Sequence, residues 1–226
     1  PTLGSGQVFP VPEDQIQCGA FPIPEHFSRI AGIDFGFDHP TAVVWLAHDR
    51  DTDVVYLYDA YREKGSGMLQ HAEAIKHRGG YIPVAWPHDG SIHDKGSGEA
   101  LATQYRRAGV NFLGSHFLNP EGGIAVEPGL MALLTRMQTG RFKVFNHLDQ
   151  WFQEFRMYHR KDGKVVRKSD DLMSATRYAC QSLRYATTAN FQPRPSVAVG
   201  SLSDGTFDPF DFWMRHQTSE SYGPIN

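Results

Sequence analysis

The stretch RIAGIDFGFDHPTAVVWLA, residues 29–47, sets Asp34 inside an otherwise apolar run. Ile30, Ala31 and Ile33 precede it, and the chain turns apolar again from Ala42 to Ala47. A carboxylate among apolar neighbours is costly unless something compensates its charge. Residues 29–36 read as a strand ending near that carboxylate. Asp38 and His39 supply turn chemistry before Pro40, and residues 41–48 read as a second strand.

Working outward, residues 54–61 form a third strand, joined to the second through DRDTD, a hairpin turn. Residues 68–78 carry Met68, Leu69, Ala72 and Ile75 at helical spacing, stopped by Gly79 and Gly80. YIPVAW, residues 81–86, is a fourth strand in which Pro83 points to an edge or a bulge. Ser97 is placed to cap a helix running to residue 108, and residues 110–113 form a short fifth strand. Residues 129–138 are helical and 142–145 strand-like. Residues 148–158 are an aromatic-rich helix, with Trp151, Phe152 and Phe155 at the spacing of a core face. RKDGKVVRK, residues 160–168, is a hairpin turning on Asp162 and Gly163. Residues 170–185 form a last helix that turns Leu172, Ala175, Thr176, Ala179 and Leu183 inward.

Three meandering strands followed by alternating helices and strands specify a mixed sheet of five or more strands, flanked by helices on both faces. The expected division is an extended arm or linker over 1–28, rich in proline, one α/β domain over 29–186, and a tail over 187–226. The tail carries Phe207, Phe210, Phe212 and Trp213 as aromatic anchors.

Composition narrows the function classes. Of the 226 residues, 40% are hydrophobic, enough for a sizeable core, and the formal charge of −3 argues against an indiscriminate nucleic-acid coat protein. Cys18 and Cys180 lie far apart, without zinc spacing or a disulfide framework, so a reducing compartment fits best. No apolar run approaches about 20 residues, so no membrane span is expected. The N-terminal PTLGSGQVFPVPEDQ lacks the regions of a signal peptide and starts without Met, as expected of a piece of a longer chain.

The chemistry-bearing residues are acids. Asp34 sits in the first strand, Asp89 follows the fourth, and Asp170 and Asp171 open the last helix. Taken singly, Asp89 is a turn residue, and Asp170 and Asp171 an N-cap and a first-turn acid. If the first and fourth strands are neighbours and the helix start packs across their ends, the carboxylates converge. Convergent carboxylates repel one another unless a cation lies between them. An all-oxygen donor set suits Mg²⁺ or Mn²⁺. Two such ions, roughly 3.5–4 Å apart, clamp the attacking and leaving oxygens of a phosphodiester.

This order of acids is that of the ribonuclease-H-like superfamily. The chain most resembles the C-terminal nuclease domain of tailed-phage terminase large subunits. The resemblance covers about residues 3–186 and rests on GSGQVFP (4–10), GIDFGFDHPTAVVWLA (32–47), PVAWPHDGS (83–91) and DDLMSATRYA (170–179). It implies a DNA endonuclease that cuts concatemeric viral DNA during packaging, with Asp34, Asp89 and Asp171 as catalytic metal ligands. Its implied partners are double-stranded DNA, an ATPase motor in the same full-length protein, the portal and the small terminase subunit. The implied location is the host cytoplasm, at the procapsid portal. No GxxxxGK[ST] phosphate loop occurs, so the resemblance covers the nuclease half alone. Related resolvases place a second acid three residues after the helix aspartate. Here that position is Ser174, which makes a second metal site depend on Asp170.

Residues 141–168 hold eight basic residues against three acids, a local excess of five positive charges in a net-negative chain. A hairpin uses such charge to keep its edges from pairing. It also suits a patch that tracks phosphates toward Asp171, with Arg160, Lys161, Lys164, Arg167, Lys168 and the more distant Lys95 as DNA contacts. His88 and His93 flank Asp89 as candidate substrate contacts. Two other functions fit the same pattern: a Holliday-junction resolvase or RNase H-like nuclease, and a catalytically silent module that docks on the portal or motor.

Overall fold

The structure is a computed structural model and describes residues 6–36, 39–91, 100–119, 121–166 and 168–189. These lie in one compact unit, Pro1–Phe191; the second unit, Gln192–Asn226, and with it the tail aromatics, lies outside the described residues.

The sheet is organised by its central strand. In β3 (Thr41–Asp49) each residue from Thr41 to Ala47 is buried. Ala42, Val44 and Leu46 enter one core, and Val43 and Trp45 enter the other. A strand covered on both faces reads as an unbroken apolar run, which is why TAVVWLA shows no polar alternation. β2 (Ser28–Asp34) and β4 (Val54–Glu63) flank β3 as an antiparallel meander. β5 (Val84–Ala85) runs parallel to β2, with Gly32 opposite Ala85. β6 (Phe142–Phe145) runs parallel to β4, and β1 (Gln17–Cys18) parallel to β6. The sheet has six strands in the order β1-β6-β4-β3-β2-β5. The mixed sheet expected from the sequence is therefore present, with β2 beside β5.

Helices cover both faces. α2 (Met68–His77) and α3 (Leu101–Arg107) set Ala72, Ile75, Ala102 and Tyr105 against Val43 and Trp45. On the other face lie α4 (Val126–Gln138), α5 (Asp149–Met157) and α6 (Asp171–Gln181). They bring Leu133, Trp151, Phe152, Leu172 and Ala175 against Val44 and Leu46. Trp151, Phe152 and Phe155 are core residues, as their spacing indicates.

Several elements differ from the sequence reading. The segment expected as a linker or arm is, over its described part, built into the core: Val8, Phe9, Val11 and Ile16 are buried. Phe9 lies 6.1 Å from the Phe155 ring and 5.7 Å from that of Tyr158. A short helix, α1 (Glu13–Ile16), leads from there into β1, which takes the sheet edge. The prolines set an extended path, and the apolar residues between them anchor it. The fourth strand shrinks to two residues after Pro83, which has no N–H to give a ladder. Residues 110–113 form only an isolated bridge, Phe112 to Val84. The last helix ends at Gln181 and continues as a 3-10 turn, Leu183–Tyr185. The basic hairpin is present as β7 (Arg160–Lys161) and β8 (Lys164–Val165). Asp162 and Gly163 have φ of 51° and 75°, the two positive values that a tight two-residue hairpin turn requires.

One glycine positions the acids. A Cβ on Gly32 would stand 2.3 Å from the Ala175 carbonyl oxygen and 2.8 Å from the Ala179 nitrogen. The backbone of α6 thus lies directly on β2, through two small residues one turn apart. Asp34 is two residues along the strand from Gly32, about 6.6 Å. Asp171 is four residues back along the helix from Ala175, about 6 Å. The same close approach therefore carries the first turn of α6 to the end of β2.

Candidate active site

Asp34, Asp89, Asp170 and Asp171 line one open cavity of about 410 Å³, together with His39, His88, Ser174, Arg177 and Tyr178. Asp34 is the last residue of β2, and Asp89 lies in the 3-10 turn His88–Ser91 that follows β5. Because β2 and β5 are parallel, both acids emerge at the same end of the sheet. Gly90 makes the turn possible, since a Cβ there would stand 2.6 Å from the Trp86 ring and 2.8 Å from that of Phe35.

Asp34 is partly exposed to the cavity. Burial is the largest influence on its carboxyl, and the Asp171 and Asp170 carboxylates add to it, raising its pKa from 3.8 to about 8. The Tyr178 hydroxyl donates a hydrogen bond to it, and that bond and the Arg177 guanidinium oppose the rise. Asp34 therefore stands among more negative than positive charge. Burial and the Asp34 charge in turn push the Tyr178 hydroxyl upward, so it stays a proton donor at neutral pH.

Arg177 is 5% exposed. It lies across Gly129 of α4, where a Cβ would stand 2.8 Å from its Cδ. Its guanidinium carbon is 5.0 Å from the Phe117 ring centre and 4.6 Å from that of Tyr178. Nη1 has no hydrogen-bond partner among the described residues. Asp171 accepts from Arg62, whose Nη2 is 3.2 Å and Nε 3.3 Å from its Oδ2. Arg62 Nε is also 2.9 Å from Oε1 of the buried Glu154. Glu154 accepts the Leu172 N–H through Oε2 at 2.8 Å. Burial, with the Asp171 charge as a smaller contribution, raises its carboxyl pKa to about 7 against the pull of that hydrogen bond and of Arg62.

All four acids expected from the sequence line the same cavity. Among the described residues, however, no three His, Cys, Asp or Glu side chains are gathered closely enough to cage an ion. The convergence is a shared lining, as expected for like charges that repel one another. Four residues that the sequence reading missed also bear on the site. Tyr178 was legible as the residue two turns after Asp171. Glu154 was legible as a lone carboxylate three residues after Trp151 on an apolar face. Arg62 and Arg177 carry no local signal.

The basic hairpin borders the cavity, since Tyr158 and Val165 line it. Lys161, Lys164 and Lys168 are exposed. Arg160 instead makes a two-pronged ion pair with Glu127, both bonds 2.7 Å. Arg156 pairs likewise with Glu13, and Arg141 with Asp53, so part of the local positive excess is already matched. Lys95, Arg167, Asp38, His93 and Ser97 lie outside the described residues.

A family model, the terminase RNaseH-like domain, matches residues 31–183. The chain belongs to this family. It is 46% identical over 187 residues, 82% of its length, to the terminase large subunit of Salmonella phage P22. It is 47% identical over 179 residues, 79% of its length, to that of Enterobacteria phage LP7. In both cases the match spans 38% of the relative, so the chain corresponds to well under half of these large subunits. The solved P22 large terminase nuclease domain superposes with a TM-score of 0.76 at 45% identity, covering 83% of this chain and 97% of that one. The fold is thus the ribonuclease-H-like fold of terminase nuclease domains. The same fold, at 19% identity and a TM-score of 0.56, is found in the large terminase nuclease of phage G20c solved with bound magnesium. That match covers 78% of this chain and 97% of the phage G20c domain.

Proposed function

We propose that this chain is the nuclease part of a phage terminase large subunit, a metal-dependent endonuclease that cuts concatemeric viral DNA during genome packaging. The observation that carries the reading is Asp34: a carboxylate set at the end of β2 in one cavity with Asp89, Asp170 and Asp171, and short of positive charge. An all-oxygen donor set of this kind fits Mg²⁺ or Mn²⁺. Terminase nuclease domains of phages G20c and SPP1 have been solved with magnesium and manganese, which supports the same choice here.

In this reading Asp34, Asp89 and Asp171 would hold the cation, and Asp170 would supply a second position where Ser174 stands in place of an acid. Two divalent ions would supply activation of water and charge neutralisation at the leaving 3′ oxygen. The chain's own residues do the rest. Tyr178 holds the Asp34 carboxylate in one orientation through its hydroxyl. Arg177, buried behind the acids, keeps a fixed positive charge near Asp34. Lys161, Lys164 and Lys168 on and beside the hairpin attract the DNA backbone at the cavity mouth. Attack by water in line with the leaving oxygen yields 5′-phosphate and 3′-hydroxyl ends. Contacts of this kind read phosphates rather than bases, so little sequence preference is expected.

In this reading the partners are double-stranded DNA, the ATPase motor of the full-length large subunit, the portal and the small terminase subunit. The host cytoplasm, at the procapsid portal, is the place of action in this reading. No helix of the described residues is long and apolar enough to cross a membrane.

The test is supercoiled plasmid incubated with the 226-residue chain and Mn²⁺, Mg²⁺ or EDTA, beside Asp34→Asn. Nicking that needs the cation and disappears in the variant is expected. Nicking by Asp34→Asn at the wild-type rate overturns the assignment of Asp34. No cleavage with any cation favours a docking module instead.

A further inference from the structure

We propose that Glu154 and Arg62 are positioning residues that set Asp171 for cation binding; this deepens the nuclease reading above and rests on it. The first turn of a helix leaves N–H groups without partners inside the helix. In α6 the N-cap residue, Asp170, makes no side-chain capping bond. Glu154 takes that place from α5, with its Oε2 2.8 Å from the Leu172 nitrogen. Its Oε1 is 2.9 Å from Arg62 Nε, an ion pair in which the Nε–H is directed to Asp171 and Oε1 accepts no hydrogen bond from the described residues. Arg62, near the end of β4, reaches on to Asp171 Oδ2 at 3.2 Å. Leu172 follows Asp171 in the chain, so the contacts close a ring through α5, β4 and α6.

The ring has three effects. It fixes the height of the first turn of α6 against the sheet. It commits Oδ2 of Asp171 to Arg62. It also gives Arg62 a second carboxyl partner, so that Arg62 orients Asp171 without being committed to it alone. The Glu154 side chain is 3% exposed and that of Asp171 12%. An ion pair at such depth adds little net stability over apolar packing, because desolvation offsets the attraction. What it supplies here is geometry, in the manner of the outer partners that orient metal ligands.

The decisive variant is Glu154→Gln. Glutamine keeps the size and an acceptor for the Leu172 N–H, but it leaves Arg62 with Asp171 as its one carboxylate partner in the ring. Arg62 then competes with the cation. Mn²⁺ binding is measured on the 226-residue chain without DNA, by the electron paramagnetic resonance of free Mn²⁺, and plasmid nicking is titrated with Mn²⁺ in parallel. The expected result is a loss of roughly 10–100-fold in Mn²⁺ affinity, with nicking recovered at raised Mn²⁺. A merely structural role would lower the plateau without moving the half-saturating concentration. Arg62→Lys, at a side chain 28% exposed, keeps the charge and loses the fork. It is expected to weaken binding in the same direction, and it carries the test if Glu154→Gln does not fold. The double variant is expected to lose no more than the worse single one. A wild type that binds and nicks, beside variants with unchanged Mn²⁺ dependence, overturns the positioning role alone. A wild type that neither binds Mn²⁺ nor nicks overturns the nuclease reading and this inference with it.

Discussion

Replacing Asp34 by Asn is expected to make the cation-free protein more stable while removing its response to cations. The Asp34 carboxyl has an ordinary pKa of 3.8 and one of about 8 in the fold. A carboxyl raised in the folded state contributes stability that is fully present below 3.8 and is lost as pH rises through about 8. At pH 7 the loss has run for about three pH units, each worth about 1.4 kcal/mol, which gives a ceiling of about 4 kcal/mol. Asp34 lines a cavity that water enters, and solvent in the cavity reduces that figure, so about 1–2 kcal/mol of stabilisation is expected from Asn. For a chain of this size that raises the melting temperature by about 3–6 °C. Asparagine can still accept the Tyr178 hydroxyl bond, so no buried group loses its partner. The assay is thermal unfolding of both proteins at pH 5.5, 7 and 8.5, in EDTA and in millimolar Mn²⁺. In EDTA the gap between variant and wild type should widen with pH. In Mn²⁺ the wild type should rise, because a ligand that binds only the folded state stabilises it, and the variant should not. A variant less stable than wild type in EDTA at pH 7, or one with an equal Mn²⁺ response, refutes the charge argument.

Two further outcomes follow from the packing and from the hairpin. Gly32→Ala places a methyl group against the Ala175 carbonyl and the Ala179 nitrogen, so α6 must move off β2. Overpacking of this kind costs about 1–3 kcal/mol, and the shift should also weaken Mn²⁺ binding, read by chemical denaturation and by a Mn²⁺ titration. Replacing Lys161 and Lys164 together by Ala should weaken DNA binding evenly across sequences and lower the slope of log affinity against log salt by about 2, while Mn²⁺ binding stays unchanged.

The fold was legible where one physical pattern ran long enough to dominate. The apolar TAVVWLA read as a strand, and the turn DRDTD joined it to an antiparallel partner. β5 was harder, because a two-residue strand has too few side chains to show a period. The packed N-terminal segment was missed for a different reason. Its prolines advertise an extended chain, whereas Phe9 and Ile16 find their burial against α5 and α4, elements more than a hundred residues away. At the site the acids were legible because each stands at or just beyond an end of a recognisable element. Arg62 was not, since an arginine at the end of a strand looks the same whether it faces water or a buried glutamate.

The acids show what kind of site the fold keeps. The close approach at Gly32 brings a helix start to a strand end, and both ends carry carboxylates. Nothing in the packing requires this: Ala175 and Ala179 would seat on β2 equally well if residues 34 and 171 were neutral. Arg177 near Asp34 and Arg62 beside Asp171 lower the local cost without removing it. A protein that only needed the fold would gain by neutralising Asp34, which is what the Asn variant tests. The residual negative charge is therefore the property to be explained. In the proposed function a divalent cation, which stabilises the folded form in proportion to its binding, accounts for it.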